Sequence, residues 1–418
     1  MRSVFVNIGP LVSFRNAPAS ALENSVESTG LGIVVVDGMI VKIEDSAMLI
    51  DEFSIPEGRH SVSGETACFD LKGNAVVPGL IDGHTHLLWA GDRSKEVSWR
   101  REGKSYAEIA SLGGGIQYTV EQTRMASDDA LHILGYQRLR EALHTGTTHL
   151  EAKSGYGLNV ESELRLLEVA ERLGNNAHTP TIDHTWMGAH DIPRGQTAET
   201  YVEELVSEQL PAIVEQNIAR SADVFCEPGW FSTEQSETVL RASKNQGLAL
   251  RMHVDEFTDG GGGALAADLG VETADHAYHT PMDVRLKMKE CGVNTGFLPG
   301  TPYAMGDGWP NMDEVVDKAI PFTLASDFNP NCRTLSLPFM CSLMVQRCGM
   351  HPLQAVAAVT VNAARTTPHP SGMPHGIIAE GAAANFNIVD GEHWESMVLR
   401  PSSSPFSATV LNGQFLPH

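Results

Sequence analysis

The stretch AVVPGLIDGHTH, residues 75–86, decides how the rest of the chain is interpreted. An apolar run rich in β-branched residues ends in His84-Thr85-His86. Side chains alternate between the two faces of a strand, so imidazoles at positions i and i+2 point the same way. Such a pair suits two ligands of one divalent metal, although chance and core histidines explain many H-x-H pairs equally well.

The middle of the chain alternates strand-like runs with amphipathic helical stretches. Eight runs have strand character, near 75–82, 147–153, 179–185, 222–226, 247–253, 271–276, 293–298 and 321–326. This alternation is typical of βα units around a parallel sheet, and eight strands are the number that closes a barrel. The sequence therefore predicts an α/β fold with a (β/α)8 TIM-type barrel over residues 78–365.

Both ends of the chain have a different sequence pattern, in which short β-like runs are separated by turn signals. An Asp-Gly pair divides VVVDGMIVKI at 34–43, and an Asn-Gly pair divides ATVLNGQFLP at 408–417, which are hairpin signals. Two β-rich ends around a different middle indicate one small β-sandwich domain, built from residues 1–77 plus 366–418.

Composition excludes several classes of protein. Among 418 residues, 29 are Lys or Arg and 52 are Asp or Glu, a formal net charge of −23, whereas nucleic-acid binding needs clustered cations. The sequence lacks an apolar stretch of the ~18 residues that a membrane helix needs, and its opening lacks a secretory signal pattern. Six scattered cysteines without a C-x-x-C pair indicate reduced thiols. We therefore expect a cytoplasmic protein without a nucleic-acid or membrane partner.

Further ligand-type residues fall at the ends of other predicted strands. His253 ends LALRMH, His276 ends VETADH and Asp327 follows PFTLAS. Residues at the carboxyl ends of barrel strands converge on one site, however far apart they lie in the sequence. Histidines and a carboxylate around one ion, with a position left for water, would make a hydrolytic metal centre. The alternative is that these are ordinary polar residues at the ends of the barrel.

Several motifs, in their order and spacing, resemble one family. PGLIDGHTH, HVDEF, TADH and SDFNP look like the first, fifth, sixth and eighth strands of the amidohydrolase superfamily. The more specific HLLWAGDRSKE, SYAEIASLGGGI, KSGYGLNVESELRLL, MGAH, VFCEPGWFS and LPGTPYAMG are similar to the imidazolonepropionase family. That resemblance implies hydrolysis of the cyclic amide bond of 4-imidazolone-5-propanoate to N-formimidoyl-L-glutamate, a step of histidine degradation.

The resemblance implies a metal centre with four protein ligands. It assigns His84, His86, His253 and Asp327 to one Zn²⁺ or iron ion, ferrous or ferric, with water completing the sphere. Members with two metals carry a bridging lysine, and Lys153 is the nearest lysine to that position. We interpret Lys153 as structural and expect a single ion.

The resemblance also implies substrate and catalytic residues. The family's substrate contacts fall on Arg93, Tyr106, Tyr156, His190 and Glu256, and we expect Asn329 to lie close by. The planar guanidinium of Arg93 suits the propanoate carboxylate. Glu256 is expected to orient the attacking water and move its proton, His276 to hydrogen-bond the carbonyl oxygen, and Asp327 to relay a proton. The main general base among these three is left open.

Two other readings remain open at the level of sequence. One is a different enzyme of the superfamily, a hydantoin- or thiohydantoin-propanoate hydrolase or an aromatic aminohydrolase that releases ammonia. The other is a metal-storage or scaffold protein on a barrel frame. The expected partner is a small anionic heterocyclic substrate, and the resemblance suggests a homodimer.

Overall fold

The computed structural model describes residues 2–15, 22–55, 61–63, 66–306 and 308–418. The side chains at positions 23, 61–63, 106 and 107 lie outside that description. Nineteen strands are assigned within it. Those before the barrel are β1 (Arg2–Val6), β2 (Leu11–Val12), β3 (Val26–Glu27), β4 (Leu31–Val36), β5 (Met39–Asp45), β6 (Ser61–Ser63), β7 (Thr66–Asp70) and β8 (Val76–Pro78).

Eight strands form one sheet in the order of the sequence. They are β9 (Leu80–Asp82), β10 (Thr147–Lys153), β11 (Thr181–Ala189), β12 (Ser221–Cys226), β13 (Ala249–Val254), β14 (Thr273–His276), β15 (Asn294–Phe297) and β16 (Phe322–Leu324). Their registered pairs are parallel. A parallel bridge between Thr85 and Phe328, just beyond β9 and β16, brings the first and last strands together. The predicted eight-stranded barrel is therefore confirmed.

The predicted first strand, near 75–82, is in fact two strands that belong to different sheets. Strand β8 pairs with terminal strands, whereas β9 begins the barrel. Gly79 lies between them, and a Cβ there would stand 2.3 Å from Thr148 Oγ1. Its N–H donates to Asn385 at 2.9 Å, whereas the next N–H, of Leu80, donates to Gly146 at 3.0 Å. The chain thus changes sheets at a glycine that no larger residue can replace without displacing β10.

The chain ends build two further sheets. Strands β17 (Phe386–Val389), β18 (Phe406–Leu411) and β19 (Gln414–Pro417) form a six-stranded sheet, β19-β18-β17-β8-β2-β3, and the other sheet is β5-β4-β1-β7-β6. Phe5, Ile33 and Phe386 belong to an apolar cluster drawn from both sheets. Both predicted hairpins are present, and their Asp-Gly and Asn-Gly turns have positive φ at both central residues.

The helices lie between the strands. They are α1 (Ser46–Phe53), α2 (Glu96–Arg101), α3 (Tyr106–Ser111), α4 (Gly115–Met125), α5 (Asp128–His144), α6 (Val160–Gly174), α7 (Ala198–Glu204), α8 (Leu210–Gln216), α9 (Thr233–Asn245), α10 (Gly262–Leu269), α11 (Met282–Glu290), α12 (Gly300–Met305), α13 (Met312–Asp317), α14 (Leu337–Cys348) and α15 (Pro352–Ala358). A π-helical turn, Leu205–Gln209, joins α7 to α8. Among the described residues, none of these helices combines the length and apolar character needed to cross a bilayer.

The chain divides into two compact units. One contains residues 1–83, 140–150 and 336–418, and the other contains residues 84–139 and 151–335. The second unit holds every candidate ligand, catalytic and substrate-contacting residue named above. The predicted domain bounds, 1–77 plus 366–418 against 78–365, remain a prediction.

Candidate active site

Four predicted ligands meet at the carboxyl ends of the barrel strands. His84 and His86 follow β9, His253 lies in β13, and Asp327 follows β16. Asp327 Oδ1 lies 3.6 Å from His84 Nε2 and 3.7 Å from His86 Nε2, and the Nε2 atoms of His86 and His253 are 3.4 Å apart. All four residues are buried, with at most 4% of their surface exposed. The fold therefore gathers side chains that are up to 243 positions apart, from 84 to 327, around one point.

The donor set fits a metal ion. Ligands about 2.0–2.1 Å from a tetrahedral ion lie roughly 3.3 Å from one another, which is close to the separations found here. His84 Nε2 is buried, and within the described part of the chain it has no hydrogen-bond partner. Burial, with a smaller contribution from nearby Lys153 and imidazoles, lowers the pKa of His84 well below its usual range. A neutral imidazole is the form that binds metals.

Two carboxylates that the sequence analysis missed orient the imidazoles. Asp275 Oδ2 lies 2.7 Å from His84 Nδ1, and Asp223 Oδ1 lies 3.0 Å from His253 Nδ1. A carboxylate on Nδ1 leaves Nε2 directed toward the centre and raises the basicity of the ligand. Burial raises the pKa of Asp275 to about 6, whereas His253 and Lys153 outweigh the effect of burial and hold the pKa of Asp223 below its usual range. The sequence signal was present, since Asp275 immediately precedes His276 in TADH.

Lys153 belongs to this supporting layer. Its Nζ donates to Glu151 Oε1 at 2.9 Å and to Asp223 Oδ2 at 2.7 Å, and all three side chains are fully buried. These carboxylates raise the pKa of Lys153 despite the opposing effect of burial, so its charge is retained. The position is that of a structural cation that supports the carboxylate behind His253.

Asp327 is held in an uncommon conformation. Its φ is 50°, its Oδ2 accepts from Thr301 Oγ1 at 2.6 Å, and its carbonyl accepts from Asn329 Nδ2 at 2.7 Å. Left-handed backbone at a residue other than glycine is sparsely populated and clusters at functional sites. Burial raises the pKa of Asp327. Asn329 thus supports Asp327 through the backbone, in addition to lining the cavity.

His276 and Glu256 stand together beside the ligands. The Nε2 of His276 and the Oε2 of Glu256 are 3.6 Å apart, and His276 has a φ of 65°. One nitrogen each from His84, His253 and His276 lie within 4.8 Å of one another. The predicted hydrogen-bond donor and the predicted proton carrier therefore both lie within reach of a group bound at the centre.

A cavity opens at these residues. It is lined by His86, Arg93, Tyr156, His190, His253, Glu256, His276, Asp327 and Asn329, among others. Every predicted substrate contact except Tyr106 is in that set. Tyr106 begins α3, but its side chain lies outside the description, so its role stays a prediction.

His190 lies flat against a ligand histidine. The ring centroids of His190 and His86 are 4.8 Å apart, with 19° between the ring planes. Gly155 accepts a hydrogen bond from His190 Nδ1 at 2.8 Å. Burial is the main cause that lowers the pKa of His190 to about 3, so its ring is neutral. It can offer a neutral ring nitrogen to a bound molecule.

The predicted carboxylate anchor, Arg93, is paired within the protein. Its Nε and one terminal nitrogen donate to the two oxygens of Glu96 at 2.7 and 2.9 Å, and both side chains are buried. Glu96 also accepts from the N–H of Gly115, at the beginning of α4, at 2.8 Å. The bidentate pair fixes the guanidinium plane at the cavity wall. Sequence reasoning missed Glu96, although its separation from Arg93 by three positions in DRSKE was visible.

An aromatic wall that the sequence analysis did not single out completes the cavity. The ring centroids of Phe225 and Trp230 are 4.8 Å apart, and those of Trp230 and Phe257 are 5.8 Å apart with an interplanar angle of 29°. All three rings line the cavity. Flat apolar faces in the same cavity as neutral ring nitrogens and one arginine suit a small heterocycle with an acidic arm.

Comparison with known proteins gives a consistent result. A family model described as "Amidohydrolase family" matches residues 75–415. An imidazolonepropionase of Solibacter usitatus is 39% identical over 359 residues, which cover 85% of each chain, and one of Geobacillus kaustophilus is 36% identical over 400 residues, which cover 93% of this chain and 92% of the relative. A 5-methylcytosine deaminase from Klebsiella pneumoniae is similar in fold, with a TM-score of 0.71 at 16% identity over 99% of this chain and 98% of that chain. The chain therefore belongs to the imidazolonepropionase family of amidohydrolases.

Proposed function

We propose that this protein hydrolyses the cyclic amide bond of 4-imidazolone-5-propanoate to give N-formimidoyl-L-glutamate, and so acts in histidine degradation. Family membership supports the reaction class, a hydrolase acting on cyclic amide C–N bonds. The observation that carries the proposal is one cavity lined both by Arg93 and by three of the four predicted metal ligands, His86, His253 and Asp327.

The residues that would hold a metal are His84, His86, His253 and Asp327, and their chemistry fits one Zn²⁺ or iron ion. When bound, such an ion would lower the pKa of water towards ~7 and polarise the amide carbonyl. Ligands of this type accept several divalent metals, so the availability of each metal contributes to which one is held. Elemental analysis of the purified protein identifies the native ion.

Substrate binding is assigned to the residues at the cavity wall. Arg93, whose plane is fixed by Glu96, binds the propanoate carboxylate. Tyr156 and His190 line the same cavity. The Tyr156 hydroxyl can donate to the carboxylate arm, and the Nε2 of neutral His190 can accept from a ring N–H. The aromatic rings of the cavity pack against the face of the heterocycle.

The acid–base work is assigned to Glu256, His276 and Asp327. The oxygen of water bonds to the ring carbonyl carbon, the C–N bond breaks, and the departing nitrogen takes a proton. Glu256 accepts the proton of the attacking water and delivers it to that nitrogen. His276 donates a hydrogen bond to the carbonyl oxygen as charge develops there. The Oδ2 of Asp327, which already accepts from Thr301, offers a second place for the proton.

The test is an assay with imidazolone propanoate. We expect the ring absorbance to be lost. One formimidoyl product should form per substrate consumed, and no ammonia should be released. A metal-loaded protein that leaves the compound intact would exclude this function. Release of ammonia from an aromatic amine would indicate the aminohydrolase alternative, and turnover of a hydantoin- or thiohydantoin-propanoate alone would indicate the related hydrolase.

Two broader expectations from the resemblance belong to the same proposal. We propose that the enzyme acts in the cytoplasm as a homodimer. Sedimentation equilibrium gives the mass of the assembly, and a mass that corresponds to one chain across the concentration range would contradict the dimer.

A further inference from the structure

One buried carboxylate, that of Glu227, accepts hydrogen bonds from the backbone of the loop that carries Glu256. Its Oε2 accepts from the N–H of Glu256 at 2.9 Å. Its Oε1 accepts from the N–H groups of Phe257 at 3.2 Å and Thr258 at 3.0 Å, and from the Thr258 hydroxyl at 3.3 Å. A single side chain thus binds three successive backbone N–H groups.

The barrel architecture explains how Glu227 reaches this loop. Glu227 directly follows β12, and the loop begins at Asp255, directly after the neighbouring strand β13. The two strands are in parallel register, with Cys226 opposite Val254. Glu227 is 2% exposed and is not among the residues that line the cavity. Its carboxylate therefore binds the loop backbone without lining the cavity, which the side chain of Glu256 does line.

We propose that Glu227 is a positioning residue, which acts on the reaction by fixing Glu256 against His276. This inference rests on the proposed function, since it assumes that Glu256 moves the proton. The 3.6 Å separation of Glu256 Oε2 from His276 Nε2 depends on where the loop backbone places Glu256. Misplacing a reacting group by about 1 Å can reduce turnover roughly 10²-fold.

The test is a Glu227→Gln substitution in the full-length, metal-loaded protein. Glutamine keeps the shape but has one acceptor oxygen, so one group of donors loses its partner. We expect kcat to fall by about 10- to 100-fold, the scale of a misplaced proton carrier. KM should change less than kcat, because Arg93, Tyr156 and His190 lie on other loops, whereas of the cavity residues Glu256 and Phe257 lie on this one.

A double-mutant cycle separates positioning from a general structural role. If Glu227 acts through Glu256, Glu227→Gln should reduce turnover by less than about twofold in a Glu256→Gln background, within the scatter of independent sites. Equal fold-losses in the two backgrounds would overturn the proposal.

Glu163 provides a matched control. It is also a buried carboxylate with three backbone N–H donors, those of Gly155 at 3.0 Å, Gly157 at 2.7 Å and Leu158 at 2.9 Å. It holds a different loop, so Glu163→Gln should reduce turnover by the same factor in the wild-type and Glu256→Gln backgrounds. If Glu163→Gln reduced turnover in the wild-type background but not in the Glu256→Gln background, the coupling would not be specific to Glu227, and the inference would fail.

Hydrogen exchange tests the same inference without any turnover. In the Glu227→Gln variant, exchange should accelerate by about tenfold or more at whichever group loses its acceptor, either the N–H of Glu256 or those of Phe257 and Thr258. Exchange at Gly157 should stay unchanged. Unaltered exchange at residues 256–258 would overturn the inference even if the enzyme were active. If exchange accelerated in the variant but the wild-type protein did not turn over imidazolone propanoate, the proposed substrate would be wrong. The role of Glu227 in fixing the loop would still be supported.

Discussion

Replacing Lys153 with methionine distinguishes a structural cation from a metal-bridging residue. The ammonium of Lys153 bonds to Glu151 and Asp223 at 2.9 and 2.7 Å, and no part of these three side chains is exposed. Methionine roughly preserves the length of the apolar stem and removes the charge. Two buried carboxylates then lose their shared cation.

The size of the effect follows from that burial. Removing one partner of a buried pair typically destabilises a protein by about 3–5 kcal/mol, because an uncompensated charge remains inside. Asp223 keeps its contact with His253 at 3.0 Å, which argues against a larger value. We therefore expect Lys153→Met to lower the free energy of unfolding by about 3–5 kcal/mol.

The assay is urea denaturation at pH 7.5, followed by tryptophan fluorescence, with the metal content of each protein measured in parallel. Lys287→Met is the matched control, since Lys287 pairs with Asp268 at 2.5 Å while both side chains are at least half exposed. That variant should keep nearly the wild-type midpoint, because exposed pairs contribute little. Wild type and Lys153→Met should each hold one metal per chain.

Two results would refute this reasoning. Two metals per wild-type chain, with one in the Lys153→Met variant, would identify Lys153 as a bridging ligand. Wild-type stability in the variant would show that the paired carboxylates do not depend on the ammonium. If the variant cannot be purified in folded form, the metal content of the wild type alone still decides between one ion and two.

Four further substitutions test the site and the stability of the fold. Glu256→Gln and His276→Ala should each retain the metal while kcat falls by about 10²-fold or more, and full activity with metal retained would remove the assigned role. Arg93→Lys should mainly raise KM, because an ammonium cannot reproduce the bidentate plane, and an unchanged KM would exclude Arg93 as the carboxylate anchor. Burial lowers the pKa of His369 in the folded state below the value of about 6.5 that a histidine has in the unfolded chain. As pH falls through about 6.5, the unfolded state therefore binds a proton that the folded state does not bind. The folded state then loses stability that it has at higher pH. The wild-type urea midpoint should therefore fall more between pH 7.5 and 5.5 than that of His369→Asn, and parallel declines would contradict the assignment.

The sequence predicts the barrel and the ligands for one physical reason. A parallel barrel brings the carboxyl ends of all its strands to one face, so a ligand-type residue at the end of a strand indicates the site without any distance information. His84, His253 and Asp327 were identifiable in this way. Gly79 was not, because the periodicity of the apolar run is the same on both sides of the change of sheet.

The supporting residues were harder to predict. Glu96 pairs locally with Arg93, three positions earlier, whereas Asp275 and Asp223 act through side-chain contacts that depend on which strands are neighbours and which faces they share. Those contacts are set by register, which composition and spacing leave undetermined. The acidic character of the chain also hid them, since three functional carboxylates do not stand out among 52 acidic residues.

Strand β8 has a consequence for how the molecule is made. It pairs with β17, yet nearly all of the barrel is encoded between these two strands. A ribosome releases the first barrel strand together with β8 long before β17 emerges. Until β17 has been synthesised, one edge of β8 offers unpaired N–H and C=O groups with which other strands can pair. The nascent polypeptide therefore completes this sheet last, and premature termination ahead of residue 386 would leave that edge open to misassembly.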